Sequence, residues 1–491
     1  MPDKQMVSPK NWRFIIGILV MCVGMQIANY GTAVCISGEV TRMNAAEYYV
    51  LIAAMGSMGM MLILPVVGKL TAIFGQRNMI LYGILIQLSG RILMMFSQNW
   101  ILFMIAFLIQ SVGGGFYVSS AHVNMASAVD AGERSKFFGY IAMANAVGAI
   151  TGPILVSNLY AAGGILAKLA YIINLPVTLT GFALVWKDCP VRRTPGGAKG
   201  FDYLGLALMV LGLASLVLWL NLGGKMFSWL SLPSGLMVIL SVASLMLMLR
   251  RELTITNPAV PLRMFRNKRL TFAFVCAMVA SAYASCSASY SIMWIRLNYM
   301  DFSASSLFTG TATLPQQMVI LVLGFFLGGY VGKNFRKRFR IVGVASMVAA
   351  MLATGLLFCL QFTGTATENN LLVLGNGLPL GMVMIYLATA IGGFTSVVSQ
   401  STYSTFWQSN TALEDIPAGQ ALYSFGSTGG SVVFGAVAGV ILGTSGDYAR
   451  VFATGFVFAA VGLLCAWAGF RFPDEEKKQE NNRLEQITCF F

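Results

Sequence analysis

Two ionisable side chains lie inside apolar runs that are long enough to cross a membrane, and each could do chemistry there. Arg91 lies in LSGRILMMF, and His122 lies in SSAHVNM. A charge inside a membrane is costly, so Arg91 is a candidate functional residue, with snorkelling to the headgroups as the alternative. His122 titrates near neutral pH and is a candidate proton carrier, with a hydrogen-bonded packing role as the alternative.

The other polar residues in these runs are uncharged, and they predict a cavity lined by amide and hydroxyl groups. Asn29 follows Gln26 by about one helical turn, so the two side chains share a helix face. Arg91 and His122 complete the predicted substrate-binding set, whose other members are Gln26, Asn29, Tyr30, Gln110, Asn145, Gln316, Gln317 and Gln400.

Carboxylates are expected only outside the membrane core. The chain has 18 acidic residues, and each falls near an end of an apolar run or between runs. A carboxylate buried in a span is the usual proton carrier, because burial shifts its titration towards neutral pH. Any ion coupling is therefore expected to depend on neutral dipoles, His122 or Arg91.

Composition indicates a protein that is largely embedded in lipid. Hydrophobic residues make up 57% and charged residues 10% of the 491 residues, and the mean hydropathy is +0.74. Soluble domains have roughly 25% charged residues. The net charge of +14 lies in short clusters between apolar runs, which argues against a nucleic-acid partner. The chain has one histidine and no CxxC pair, so neither a metal site nor a cofactor is expected.

Apolar runs of about 18 or more residues predict fourteen membrane-spanning helices in an all-α fold. These runs cover residues 13–36, 48–68, 79–97, 101–126, 137–158, 165–186, 203–222, 230–249, 271–295, 305–330, 341–361, 371–399, 418–442 and 450–470.

The distribution of basic residues predicts that both termini are cytoplasmic. With fourteen spans, nearly all of the 32 lysines and arginines fall on the side of the termini, as the positive-inside rule requires. Arg91 lies within a span, and the residues assigned to the other side are Arg42, Lys168, Lys225, Arg296 and Arg450.

The spacing of the loops divides the chain into two six-helix bundles with an inserted helix pair. Paired bundles around a central site are a common transporter plan. The predicted boundaries are 1–190 for the first bundle, 191–260 for the linkers and inserted pair, 261–472 for the second bundle and 473–491 for a cytoplasmic tail.

Other ways of moving a solute are not supported by the sequence. An ATP-driven pump needs a GxxxxGK[ST] loop, and the nearest string, GGYVGKN, lacks the correctly spaced first glycine and ends in asparagine. A TVGYG channel filter is absent. No paired carboxylates, metal ligands or nucleophile–base pair indicate an enzyme. The classes of protein that the sequence still permits are a secondary transporter and a facilitator.

Several motifs, in order along the chain, resemble those of the major facilitator superfamily and its fourteen-helix drug:proton antiporter branch. The stretch GKLTAIFGQRN resembles a gate loop, with Gly68, Gly75 and Arg77 in place. GAITGPILV resembles the antiporter motif GxxxGPxxGG and contains Gly148, Gly152 and Pro153. Four further stretches resemble conserved segments of that branch: YIINLP, FDYLG, NPAVPLRMFRNKRL and AGQALYSFGSTGGSVVFGAVAGVIL.

Three positions depart from the charges that the resemblance implies. Ala72 stands where the gate loop has an acid, Asn29 where the first helix often has aspartate, and Phe107 where the fourth helix usually has arginine. Losing a mutually dependent set of charges leaves no buried charge unpaired. The GxxxGP step predicts either a bend used in alternating access or a simple packing groove.

The resemblance implies a monomeric secondary active transporter of the cell membrane that moves a small organic compound by alternating access. Proton-linked efflux is the expected mode. A cationic substrate would require a carboxylate in the cavity, so a neutral or anionic amphipathic compound is expected, with Arg91 or His122 as its polar anchor. The alternatives are an uncoupled facilitator of a metabolite and a sensor that kept the fold without transporting. The expected partners are the solute, the lipid bilayer and, for the coupled mode, protons.

Overall fold

The computed structural model describes residues 12–45, 48–130, 132–189, 202–223, 227–255, 260, 262–298, 311–333, 335–363, 372–373, 379–411 and 415–470. The described part of the chain forms helices and contains no β-strand. Seven helices form the N-terminal group: α1 Trp12–Arg42, α2 Tyr49–Phe74, α3 Gln76–Phe96, α4 Trp100–Ala128, α5 Arg134–Ala161, α6 Gly164–Leu169 and α7 Leu175–Val185.

The remaining helices are an inserted pair and a C-terminal group. The pair consists of α8 Tyr203–Leu222 and α9 Leu232–Thr254. The C-terminal group contains α10 Lys268–Ser285, α11 Ser291–Asn298, α12 Leu314–Lys333, α13 Phe335–Phe358, α14 Leu380–Val397, α15 Ser404–Ser409, α16 Ile416–Ser445 and α17 Tyr448–Gly469. Two π-helical turns, Cys286–Tyr290 and Val398–Tyr403, join α10 to α11 and α14 to α15.

Most of these helices are long and apolar enough to cross a bilayer. Within the described residues, twelve meet that requirement by length and composition. Two shorter apolar helical segments, Met55–Thr71 and Leu175–Val185, lie at the second and sixth of the fourteen predicted spans. The all-helical, multi-pass architecture is therefore confirmed, whereas the number fourteen stays a prediction.

The sixth predicted span, 165–186, is not one helix. It is broken between α6 and α7 by a turn. Pro176 has no N–H, and in a continuous helix its ring would clash with the carbonyl four residues earlier. The Leu175 N–H therefore bonds to the Ile172 carbonyl, which leaves the Tyr171 carbonyl free for another donor.

Two other predicted spans have different limits in the structure. The prediction of 371–399 began too early and ended too soon, since α14 begins at Leu380 and its helix continues through the π-turn to Ser409. The prediction of 305–330 begins on residues outside the described ranges, and α12 covers Leu314–Lys333. Hydropathy does not show that the helix beginning at Leu380 continues past residue 399, because serine, threonine and glutamine are common in 399–405.

The two helix groups meet along two seams. One seam joins α2 to α16, and the other joins α5 to α12. The inserted pair packs α8 against both α2 and α16, so it lies beside the first seam. Each seam therefore contains one helix from each half, which is the arrangement that a rocking motion of the halves requires.

The GxxxGP step of α5 packs closely against α1. A Cβ atom added to Gly148 would lie 2.5 Å from the Val23 carbonyl oxygen, and one added to Gly152 would lie 2.8 Å from the Ile27 Cα atom. Only glycine permits this approach of two helix backbones. Pro153 follows within the same helix. The geometry supports the packing groove, while bending at this step stays a prediction.

Candidate functional site

A direct hydrogen bond between the two halves joins two of the predicted binding residues. The Asn145 side-chain amide on α5 donates to the Gln400 side-chain oxygen at 2.9 Å. Gln400 lies in the π-turn Val398–Tyr403, which inserts an extra residue into the helix. π-turns of this kind occur frequently at functional sites. Both side chains are only partly buried.

His122 lies beside this contact. Its Nδ1 atom is 3.4 Å from the Val118 carbonyl oxygen one turn earlier, and the ring packs edge-on against Phe138 at 5.1 Å between centroids. The Gln400 backbone is a further polar neighbour. The imidazole is buried. These contacts fit the packing role, and they also place the ring next to the cross-half hydrogen bond.

A second polar bridge joins the halves through Tyr30 and Gln317. The Tyr30 side chain on α1 lies near the Gln317 side chain on α12. Tyr30 is 41% exposed. On the same face of α1, the Asn29 side chain donates to Gln26 at 3.3 Å. The structure thus brings residues of α1 and α12 together as a second group of neutral dipoles.

Gln316 belongs to the C-terminal half alone. Its side-chain amide donates to the Ser396 hydroxyl on α14 at 3.0 Å. Gln110 is also buried, at the close contact of α3 and α4, where its backbone lies against Gly90. Neither residue takes part in the two bridges described above.

Arg91 lies apart from these bridges and binds the broken sixth span. Its guanidinium donates to the Tyr171 carbonyl at 2.5 Å, to the Asn174 side-chain oxygen at 3.2 Å and to the Thr32 hydroxyl at 3.2 Å. The residue is 3% exposed. Arg91 therefore connects α3, α1 and the turn before α7, and its polar partners are protein groups rather than headgroups.

Carboxylates in the described residues all lie at helix ends or in connecting segments. Three of them are buried rather than solvent-facing: Glu39 in the last turn of α1, Asp202 before α8 and Glu252 in the last turn of α9. Glu39 accepts from the Arg42 Nε at 2.7 Å and from the Tyr160 hydroxyl at 3.2 Å. Sequence reasoning missed this burial, because hydropathy gives depth along a span but not the packing around a helix end.

The gate-like stretch forms the contact at one end of the α2–α16 seam, which we call the gate end. Gly75 is the single residue between α2 and α3, and its φ of +82° favours glycine. Gly68 lies against the backbone of Ala418, and a Cβ added to it would be 2.6 Å from the Pro417 carbonyl oxygen. Arg77 stacks over the Trp186 ring at 3.3 Å.

The α5–α12 seam has a similar glycine contact that the sequence did not reveal. Gly139 on α5 faces Gly324 on α12, and one turn further Gly328 lies against the backbone of Ser135 and Lys136. The available signal was the i, i+4 spacing of Gly324 and Gly328 on one helix face. At both seams, bare backbone contacts close the gate end.

Phe107 fills the space expected for the fourth-helix arginine. A Cβ added to Gly56 on α2 would lie 2.8 Å from the Phe107 ring, so the ring packs directly on this glycine. Phe107 is buried. An apolar contact between α2 and α4 therefore occupies the position where the resemblance implies an arginine.

The sequence of this chain is similar to those of known membrane transporters. The family model described as Major Facilitator Superfamily matches residues 15–411. Multidrug transporter protein MdtP of Bacillus subtilis is 24% identical over 329 residues, which cover 67% of this chain and 59% of that protein. The Acurin A biosynthesis cluster MFS-type transporter of Aspergillus aculeatus is 24% identical over 388 residues, covering 75% and 67% respectively.

Solved structures show the same fold at low sequence identity. The human organic anion transporter MFSD10 (TETRAN) gives a TM-score of 0.60 at 14% identity, covering 94% of this chain and 100% of that one. A bacterial homologue of the iron transporter ferroportin gives 0.57 at 14% identity, with 94% and 98% coverage. With its helical bundles and cross-half seams, this chain belongs to the major facilitator superfamily, a family of transporters rather than enzymes.

Proposed function

We propose that this protein is a secondary active transporter that moves a small organic compound by alternating access. The observation that carries the proposal is the Asn145–Gln400 hydrogen bond, in which partly buried amides of the two halves meet. Glycine contacts close the gate end on both seams. A solute bound between the halves would then become accessible at one end or the other as the seams open and close.

Proton-linked efflux is the proposed mode, and the substrate is a neutral or anionic amphipathic compound. Relatives named as multidrug transporters support efflux. The described carboxylates at helix ends support the choice of substrate charge, because a desolvated cation needs an anionic partner. Asn145, Gln400, Tyr30 and Gln317 are the polar groups that such a solute would meet. His122, beside Gln400, is the candidate proton carrier.

The proposed topology has fourteen spans and two cytoplasmic termini, in a monomer of the cell membrane. The positive-inside distribution supports it, and the two short apolar helices supply the spans beyond twelve. The proposed domains are 1–190, 191–260 and 261–472, followed by the tail 473–491. In this topology the gate end is cytoplasmic. Cysteine labelling of the Lys168 and Lys225 positions from outside intact cells tests the orientation.

Transport in inverted vesicles tests the function. A panel of fluorescent amphipathic compounds of different charge is offered with and without a protonophore. We expect accumulation of neutral or anionic members that the protonophore abolishes. Accumulation that the protonophore leaves unchanged would favour the uncoupled facilitator. Purified protein that binds a member of the panel but transports none of it would favour a sensor.

Loss of either amide in the cross-half pair is expected to weaken solute binding. Asn145→Ala and Gln400→Ala each remove a hydrogen bond of about 1 kcal/mol and a contact for the solute, so KM should rise about fivefold. The double variant should be no worse than the poorer single variant, because the two residues act as one unit. Transport kinetics in vesicles measure this.

Asn158→Ala is the matched control for this pair. Asn158 lies on the same helix, and its side chain bonds only to the Ile154 carbonyl one turn earlier. Its KM should equal that of the wild type. Additive effects of the two single substitutions would contradict a shared site at Asn145 and Gln400.

A further inference from the structure

Lys69 lies at the point where the two halves touch. It follows Gly68, whose backbone contacts Ala418 at the start of α16. The first turn of a helix carries partial positive charge, so a lysine brought there needs an anion nearby. Burial lowers the pKa of the Lys69 ammonium group, and the negative charges of Asp415 and Glu252 oppose that shift. Asp415 directly precedes α16, whereas Glu252 comes from the inserted pair.

Glu252 is held in a fixed orientation. It lies in the last turn of α9 and is 1% exposed. One of its carboxylate oxygens accepts from the Val260 backbone N–H at 3.2 Å. A buried carboxylate is costly unless it is hydrogen-bonded and has a cation within reach. Lys69 on α2 is such a cation.

The inserted pair is held together at the same end of the molecule. Arg251, next to Glu252, forms an ion pair with Asp202 at 2.6 Å. Asp202 also accepts from the Gly205 N–H at 2.9 Å and so caps α8. Because α8 packs against both α2 and α16, the end of α9 is fixed relative to the seam.

We infer that Glu252 is a positioning residue of the gate, which acts through Lys69 and takes the place of the gate-loop acid that is missing at Ala72. The inference rests on the proposed transport function. In the closed seam, Glu252 of the inserted pair and Asp415 before α16 both attract Lys69. Opening the seam moves α2 away from α16 and separates Lys69 from at least one of them. The inserted pair is thereby part of the gate.

Chemical labelling of a seam cysteine measures this gate directly, without transport. Thr71→Cys places a thiol on α2, about one turn after Gly68 on the face towards α16, at a position that is 5% exposed. A membrane-impermeant maleimide reaches it only when the seam opens. Cys489 of the proposed cytoplasmic tail is replaced by serine, because the maleimide would otherwise label it. Cys189 labels slowly, because burial raises its pKa to about 12 and the thiolate is the reactive form.

In the Thr71→Cys background, Glu252→Gln and Lys69→Gln are each expected to raise the labelling rate about fivefold, because the closed seam loses an attraction between charges. The exchanged pair Lys69→Glu with Glu252→Lys is made together with Asp415→Asn, so that the new acid at position 69 does not face Asp415, and it should return the rate towards that of Asp415→Asn alone. Glu133→Gln is the matched control, since Glu133 precedes α5 at the same end and its side chain does not cap that helix. It should leave the rate unchanged.

Unchanged labelling in both single variants, in protein that still transports, would overturn the inference. Increased labelling that the exchanged pair does not reverse would also overturn it, because simple packing damage would then explain the increase. A wild-type protein that transports no compound, yet shows the expected labelling pattern, would refute the proposed function and leave the gate contact intact.

Discussion

Gly328→Val is expected to reduce transport at least about fivefold while the protein still inserts and folds. The new side chain would meet the backbone of α5, with its Cβ 2.7 Å from the Lys136 Cα atom. Overpacking costs about 1–3 kcal/mol, which here falls on the closed conformation of the α5–α12 seam alone. The population that can close the gate end falls roughly 5- to 150-fold. Initial rates in vesicles, normalised to folded protein, measure the effect.

Gly329→Val separates this effect from a general loss of helix stability. Gly329 is the next residue on α12, and a Cβ added there meets nothing within 4 Å. Both substitutions place the same β-branched residue in the same helix, so their effects on helix propensity match. Gly329→Val should transport normally. Equal rates for the two variants would show that this seam does not need to close during transport.

In the proposed transporter, the two glycine seams and the inserted pair would form a gate without the acid that the resemblance implies at Ala72. Backbone contact at Gly68 and Gly328 gives close packing that needs no charge. Phe107 on Gly56 adds an apolar contact at the position where the resemblance implies an arginine. In this proposal the charged contribution to the closed conformation comes from Lys69, which lies on α2.

Sequence reasoning located most of the fold because lipid imposes a simple rule. Each span must be apolar over about 20 residues, so hydropathy marks it clearly. The rule fails where local chemistry interrupts a helix, as it does at Pro176. At this break the Tyr171 carbonyl has no helical partner, and Arg91 donates to it instead. It also fails at the π-turn around Gln400, which hydropathy cannot detect.

The candidate site was less predictable than the fold. Polarity within a span identified Asn145 and Gln400, but not that they bond to each other across 255 residues of sequence. The face that a helix turns to the other half depends on the rotation of the helix about its own axis. The sequence of a uniformly apolar helix contains little information about that rotation. The same limit hid the burial of Glu252 beside the gate.

Arg91→Met is expected to damage folding and to leave substrate preference unchanged. Methionine keeps much of the unbranched stem but removes every donor, so the Tyr171 carbonyl and the Asn174 side-chain oxygen lose their partner inside the protein. Each buried unsatisfied acceptor costs about 1–3 kcal/mol. The apparent Tm in detergent should fall by about 2–6 °C, and the protein that survives should transport neutral and anionic compounds in the wild-type ratio.

Ile92→Ala serves as the control, because Ile92 is the next residue on α3 and its side chain is exposed. Its Tm should stay near that of the wild type. The Tm of Arg91→Lys should lie between those of Arg91→Met and Ile92→Ala. An ammonium group can reach one acceptor, but it cannot reproduce the planar geometry with which the guanidinium donates to three. An unchanged Tm combined with selective loss of anionic transport would identify Arg91 as the substrate anchor instead. The structure favours folding, because the guanidinium donates to acceptors on α1 and on the turn before α7.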